Sequence, residues 1–305
     1  MADLFSPETR RAVRLAQARA DYAQARVRLA ADDLAGCDWL VATHRGLFGV
    51  GQGTVVAIMH GWFFGLHVVD GQIFLFENCG HRDTTVDHGR IIRLDLVARR
   101  IVGAAVLAEG LHNNCHQLRL IDGVLCLVDT ARQRVLRFAP DGAPIDRQQV
   151  VPPAPSSDTT GAYCHLNSIA KVAGRLVVMA HHGRALPERP SELLWLDDCW
   201  QIATRQVLPG RGCHDVVADT AGVLWHCDSL GGAVFAGDGR RVTLSDRLMT
   251  RGLALTATRI MVGLSSFGPR QLRDSLGGAV VLLDQDLRPI VRIALPSGPT
   301  DIAAL

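Results

Sequence analysis

The sequence predicts an all-β chain, a six-bladed β-propeller preceded by an N-terminal α-helix. Three observations carry this reading. After Gly36 the apolar residues fall in short runs with period two, separated by Gly, Asp and Pro. The pairs Asp70-Gly71, Asp122-Gly123, Asp141-Gly142 and Asp238-Gly239 lie between such runs, where two-residue hairpin turns form. The runs also repeat. Asp228-Ser-Leu-Gly-Gly-Ala-Val234 returns as Asp274-Ser-Leu-Gly-Gly-Ala-Val280, 46 residues on, and Cys-His recurs at 115–116, 164–165 and 213–214, at equal intervals of 49 residues. A four-stranded unit of about 40–50 residues repeated around an axis is a propeller blade.

Each element follows in order. Residues 1–35 form the helical preface, with 7–31 read as one helix. Ser6 suits the N-cap and Pro7 the first helical position. Leu15, Ala18, Tyr22, Ala25 and Leu29 make a thin apolar stripe, which needs burial on the main domain or, in a homodimer, on a second copy. Residues 36–305 are the propeller. Strands such as Trp39–Ala42 and Thr54–Ile58 begin a blade that is left incomplete. Five near-complete units start near residues 62, 113, 163, 212 and 250, and Thr300–Leu305 reads as the missing inner strand of the first. Pairing the two ends closes the ring and removes two sheet edges. That gives six blades, with five as the alternative count.

Composition narrows the function classes. The chain has 305 residues, is 48% hydrophobic and carries a formal net charge of +2, which excludes a disordered chain. The balanced charge gives no support to a nucleic-acid or membrane-surface role. No apolar leader region occurs in residues 1–35, and no run approaches the ~18 apolar residues of a membrane span. Eight cysteines at this length fit a reduced, cytoplasmic protein, and the expected partner is a small molecule.

Twelve histidines against two tyrosines is the unusual ratio. Aligning the units puts His116, His165 and His214 at the starts of three consecutive inner strands. Phe64, Arg251 and Thr300 take that place in the other blades. Three imidazoles at one depth of a channel are suited to a mononuclear transition metal with open positions for water and substrate. Fe(II) is favoured, with Cu or Zn as alternatives. Cys115, Cys164 and Cys213 precede these histidines, so strand alternation turns them away from the axis as small buried hydrophobes.

The same face collects His44, Glu77, Asp129, His181-His182 and His226-Cys227-Asp228 at the ends of second strands. Long connections follow at 77–90 (with His81 and His88), 181–192 and 265–278. Glu77, Asp129 or Asp228 could take the second N–H of a ligand imidazole. Arg251 could clamp an anionic group of the substrate. His60, His67, His182 and His226 are further candidate ligands.

The stretch from His116-Gln-Leu-Arg-Leu-Ile-Asp-Gly-Val-Leu-Cys-Leu-Val-Asp-Thr to Val135 resembles the blade pattern of the six-bladed NHL and strictosidine-synthase-like propellers, the SMP-30-type superfamily. Cys164-His-Leu-Asn-Ser-Ile-Ala170 is similar to a motif of uncharacterised bacterial propeller proteins. The resemblance covers most of 38–305 and implies the fold, since function lives in sites grafted onto folds. Calcium-dependent lactonases of the wider group use Glu, Asn and Asp around the axis, whereas the matching positions here are His, Phe, Arg and Thr. Two other propeller groups offer analogies in ligand count: the four-histidine carotenoid-cleaving enzymes and the three-histidine zinc lyase that acts on amidated-peptide precursors. The sequence therefore supports a metal-dependent iron or copper oxidase or oxygenase acting on a small molecule. A zinc lyase or hydrolase is the alternative, and a non-catalytic binding propeller is the contrasting class.

Overall fold

The computed structural model describes residues 7–79, 86–183, 185–268 and 276–305. His81 and the Asp274-Ser275 part of the literal repeat lie outside the described residues. The described chain forms six four-stranded antiparallel sheets around one axis.

The ring is closed by both ends of the chain. β1 (Trp39–Thr43), β2 (Gly46–Gly51) and β3 (Thr54–His60) are the outer three strands of the closing blade. The first complete blade is β4 (Phe63–Val69), β5 (Gln72–Glu77), β6 (Gly89–Val97) and β7 (Arg100–Leu111). The second is β8 (Cys115–Ile121), β9 (Val124–Asp129), β10 (Arg134–Phe138) and β11 (Pro144–Gln149). The third is β12 (Leu166–Val172), β13 (Arg175–Ala180), β14 (Glu192–Leu196) and β15 (Ile202–Val207). The fourth is β16 (His214–Ala218), β17 (Leu224–Asp228), β18 (Ala233–Ala236) and β19 (Arg241–Thr243). The fifth is β20 (Leu248–Leu255), β21 (Ile260–Ser266), β22 (Gly278–Leu283) and β23 (Pro289–Leu295). β24 (Pro299–Ala304) then pairs antiparallel with β1, so the last strand is the innermost of the closing blade.

The helix is shorter than its pattern suggests. α1 spans Pro7–Ala23, not 7–31. Ala25 takes φ 49°, which ends the helix, and the chain continues as an extended strap. Leu29 bridges Met59 of β3 and Asp33 bridges Arg100 of β7, while Val27 and Leu29 pack on the core between these two blades. Tertiary pairing thus overrides helical periodicity there. The end of α1 rests on the first blade: Arg90 Nη1 donates to the Asp21 carbonyl at 3.2 Å, and the Gly110 N–H donates to the Tyr22 hydroxyl at 3.1 Å.

The cores lie between adjacent blades, where the alternating apolar residues of neighbouring sheets interdigitate. Cys115, Cys164 and Cys213 are buried, as alternation requires.

All six inner strands break register near their start. The irregularities fall at Phe63/Gly65, Cys115/Leu118, Leu166/Ser168, His214/Val217 and Thr250/Leu253, and opposite Ala42/Thr43 in the last case. A bulge leaves backbone groups without a ladder partner and re-aims the side chains around it. Side chains of the neighbouring blade accept from several N–H groups here. Ile169 N–H donates to Gln117 Oε1, Asp215 N–H to Ser168 Oγ, Gly252 N–H to Asp215 Oδ2 and Leu66 N–H to Asp301 Oδ2, at 2.7–2.9 Å. These bonds stitch the second blade to the third, the third to the fourth, the fourth to the fifth, and the closing blade to the first.

Candidate functional site: the imidazole-lined mouth of the channel

The bulges turn the inner-strand starts toward one end of the channel. A continuous belt of rings results. His44 and Phe64 have centroids 5.2 Å apart, Phe64 and His116 5.5 Å, His116 and His165 5.2 Å, His165 and His181 4.8 Å, and His181 and His214 5.0 Å. Tyr163 meets His165 edge-on at 5.7 Å, and the Arg251 guanidinium lies 5.7 Å from the Phe64 ring centre. His116, His165, His181 and His214 are half-buried.

The equal spacing of the Cys-His pairs conceals a drift in phase. Cys115 is the residue that pairs with Asp129, so His116 enters the bulge, whereas His214 itself pairs with Cys227. His165 precedes β12 and takes φ 52°. The three rings converge although their backbones do not stand at identical positions.

Two of the histidines share one brace. His214 Nδ1 lies 2.9 Å from the Gly212 carbonyl and 2.9 Å from Ser229 Oγ. A carbonyl can only accept, and the Ser229 hydroxyl gives its own proton to the Thr250 carbonyl at 2.6 Å. The proton of the neutral ring is therefore on Nδ1, and Nε2 carries the lone pair. His116 repeats the pattern, with Nδ1 at 3.1 Å from the Asn114 carbonyl and 2.8 Å from Thr130 Oγ1. Burial holds the His214 pKa well below its ordinary value, and the charges of Arg251 and of His181, His116 and His165 push the same way. His214 is a neutral imidazole at neutral pH.

His181 is the member that the inner-strand alignment leaves out. It follows β13, bridges His165 and His214, and is wedged between two glycines. A Cβ on Gly183 would stand 2.2 Å from its Cε1, and one on Gly212 would stand 3.1 Å from its Nε2. The sequence signal was present in the rim pair His181-His182, but only the packing shows which of the two turns to the axis.

Other candidates lie elsewhere. His182 is buried in the third blade, with Nε2 3.2 Å from Glu192 Oε2. His226 is buried and stacked on Phe235 at 5.5 Å. His60 is exposed at the end of β3, on the outer edge of the closing blade. His67 lines a cavity at the opposite end of the channel.

The acids do not supply the braces. Buried Glu77 pairs with Arg90 at 2.7 Å. Asp129 pairs with Arg134 at 2.9 Å and Arg132 at 3.6 Å. Asp228 accepts from the backbone N–H of Arg211 and Gly231. Their chain neighbours Thr130 and Ser229 touch the histidines instead. Arg251 is at the mouth, as its alignment with the inner-strand starts suggests.

Two imidazoles that share one ion at about 2.0–2.1 Å, with angles of about 90–110°, have ring centres roughly 4.5–5.2 Å apart. Each adjacent histidine pair falls in that range. The rings nevertheless follow one another in a chain, and among the described residues no three His, Cys, Asp or Glu side chains already form a metal-holding group. Holding an ion here requires the Nε2 atoms to turn further inward.

No family model matches the sequence, and no curated protein matches it either. Solved structures do. A chain of the nidogen–laminin complex superimposes with a TM-score of 0.61 at 11% identity, covering 88% of this chain and 98% of that one. A protein of unknown function from Bacteroides caccae gives 0.59 at 10% identity, with coverages of 88% and 99%. A candidate 6-phosphogluconolactonase of Bacteroides fragilis gives 0.53 at 13% identity, with coverages of 88% and 98%. Identities this low establish shared architecture alone. The chain is a six-bladed β-propeller that shares this architecture, and an imidazole belt lines one mouth of its channel.

Proposed function

We propose that the imidazole-lined mouth is the active site of a metal-dependent enzyme acting on a small molecule. His116, His165 and His214 would be the ligands, and His181 stands within reach of the same position. The carrying observation is the shared brace: Nδ1–H of His214 is held by Gly212 and Ser229, and His116 is held the same way by Asn114 and Thr130. That arrangement fixes the tautomer and orientation that imidazole ligands use. Fe(II) is the first expectation and copper or zinc the alternatives; bound there, a redox metal would supply open positions for O2 and substrate, and zinc a Lewis acid.

The residues of the chain do the rest. The braces orient His116 and His214 and fix the tautomer of each, and burial holds His214 neutral. Tyr163 packs edge-on to His165 and confines its ring. A second reading, a ligand-binding propeller without metal, is favoured by the open chain of rings.

The experiment is elemental analysis of the purified protein, with a visible and EPR spectrum. About one equivalent of a transition metal is expected, reduced at least tenfold in His116→Ala, His165→Ala and His214→Ala. Metal-free protein that gains no thermal stability from Fe(II), Cu(II) or Zn(II) would overturn the enzyme reading and leave the binding one.

A further inference from the structure

The far end of the channel holds a second cavity, of about 510 Å3, which the reading of the mouth does not use. The six inner strands all contribute to its wall. We propose that this cavity is a separate binding site for one small molecule, a neutral and largely apolar compound whose single hydroxyl group hydrogen-bonds to His67. The proposal depends neither on a metal nor on any chemistry at the mouth.

The apolar lining is the first argument. Val68, Leu120, Ile121, Ala170, Val217 and Leu255 line the cavity, and each is only partly buried. They come from five different blades, so their exposure converges on one space and is not scattered over the surface. Single exposed aliphatic residues are ordinary, whereas a ring of them around one volume marks a place that binds. Small-molecule sites are typically about 300–1,000 Å3, mostly apolar, with a few placed polar groups. An apolar ligand that covers this ring removes its area from water, which favours binding.

The charges are the second argument, because they are already matched. Arg119 donates to the two Asp301 carboxylate oxygens at 2.8 and 3.0 Å. Its Nη1 also donates to the Leu66 carbonyl at 2.6 Å and the Leu118 carbonyl at 2.9 Å. Asp301 in turn accepts from the N–H groups of Leu66 and Ile302. This cluster ties the closing, first and second blades together on the cavity wall, and its two ions neutralise each other. On the exposed side, Lys171 pairs with Asp122. A charged ligand would lose its hydration here without finding an uncommitted counter-ion, so the cavity selects a neutral one.

His67 supplies the third argument. It lines the same cavity from the first blade, is half-buried and makes no hydrogen bond to another described residue. A neutral imidazole offers one donor and one acceptor, and a hydroxyl group can meet either. One such contact in an apolar wall sets the orientation of the ligand.

The test uses the full chain at pH 7 and three probes of one shape: 2-naphthol, 2-naphthoate and 2-(aminomethyl)naphthalene. Calorimetry is expected to show saturable naphthol binding at least tenfold tighter than binding of either charged probe. Ala170→Trp fills the cavity and should weaken naphthol at least tenfold. His67→Leu should weaken it roughly threefold to tenfold, the worth of one hydrogen bond. His214→Ala, at the other end of the channel, should change naphthol affinity less than twofold, whether or not the mouth holds a metal. Circular dichroism and thermal unfolding separate loss of binding from loss of fold, and the ranking of the probes on the unaltered protein needs no variant. The proposal is overturned by naphthoate binding as tightly as naphthol, by no saturable naphthol binding, or by a folded Ala170→Trp or His67→Leu protein with the affinity of the parent.

Discussion

The two ends of the central channel are lined by the same six inner strands, yet they differ in how their polar groups are arranged. At the strand starts, in or beside the bulges, stand His116, His165, His214, Arg251 and Phe64, and the residues that follow the second strands add His44 and His181. At the strand ends, where pairing is regular, the channel widens into a cavity of about 510 Å3 walled largely by Val68, Ile121, Val217, Leu255 and their aliphatic neighbours. Its charged residues cancel in pairs: Arg119 with Asp301, and Lys171 with Asp122. His67 is held neutral there, its pKa lowered to about 4 by burial and by Arg119. One end concentrates polar groups that face a common space, and the other disperses them. Regular pairing sends alternate residues to fixed faces, whereas a bulge aims side chains that alternation would have turned away.

The sharpest way to break this contrast is to remove what separates the two ends. Asp301 is buried, accepts from Leu66 N–H and Ile302 N–H, and takes two bonds from Arg119 at 2.8 and 3.0 Å. Asp301→Ala leaves the guanidinium uncompensated and opens the stitch between the closing and first blades. A loss of about 3–5 kcal/mol in unfolding free energy is expected from denaturant titration. The double variant Arg119→Met, Asp301→Leu should regain much of it, because an apolar pair tolerates burial that a lone charge does not. If the ends are chemically independent, the double variant keeps the metal affinity of the parent.

A second contrast lies among the histidines themselves. His226 is buried, stacked on Phe235 with an interplanar angle of 9°, and its Nε2 has no hydrogen-bond partner. Burial lowers its pKa to about 4, below the ordinary value of 6.5. The folded state then binds fewer protons than the unfolded chain between those values. Stability from this group is complete above pH 6.5 and lost as pH falls toward 4. His226→Phe keeps the stack and removes the titration. The fall in stability between pH 7 and pH 5 should shrink by about 2 kcal/mol, measured by urea unfolding at both values. An unchanged pH profile would show that His226 is hydrated and not a core residue.

The fold was legible because its signals are local and repeated. Hairpin turns at Asp70-Gly71 and Asp122-Gly123, the alternating runs and the unmatched first blade together determine six sheets and their closure by β24. The helix was legible at its start but not at its end, since residues 24–31 keep a helical pattern while Leu29 pairs with Met59 and Asp33, just beyond, pairs with Arg100. At the candidate site, the three Cys-His pairs lead to one channel mouth, where the rings of His116, His165, His181 and His214 follow one another. What could not be read was side-chain direction just beyond the ends of the second strands. Period-two reasoning does not say that His181 turns inward and His182 outward, or that Thr130 and Ser229 touch the imidazoles where Asp129 and Asp228 were expected. Those choices are made where the strand has ended and period-two alternation no longer applies.

The mildest change tests the braces directly. Ser229→Ala removes one of the two acceptors of His214 Nδ1–H and leaves the Gly212 carbonyl in place. Outer partners of ligand histidines are worth about 10–100-fold in metal affinity, and with one acceptor retained the effect belongs at the lower end, about tenfold. Thr130→Val should act equally on His116, because it removes the matching hydroxyl. Gly183→Ala reaches the same belt by a different route, since its Cβ would overlap the His181 ring and force it to move. Metal affinity by competition with a chromophoric chelator reads all three, and His67→Leu, at the far end of the channel, is the control expected to leave it unchanged. If Ser229→Ala and His67→Leu behave alike, the brace holds a packing residue and the two ends of the channel differ in structure but not in role.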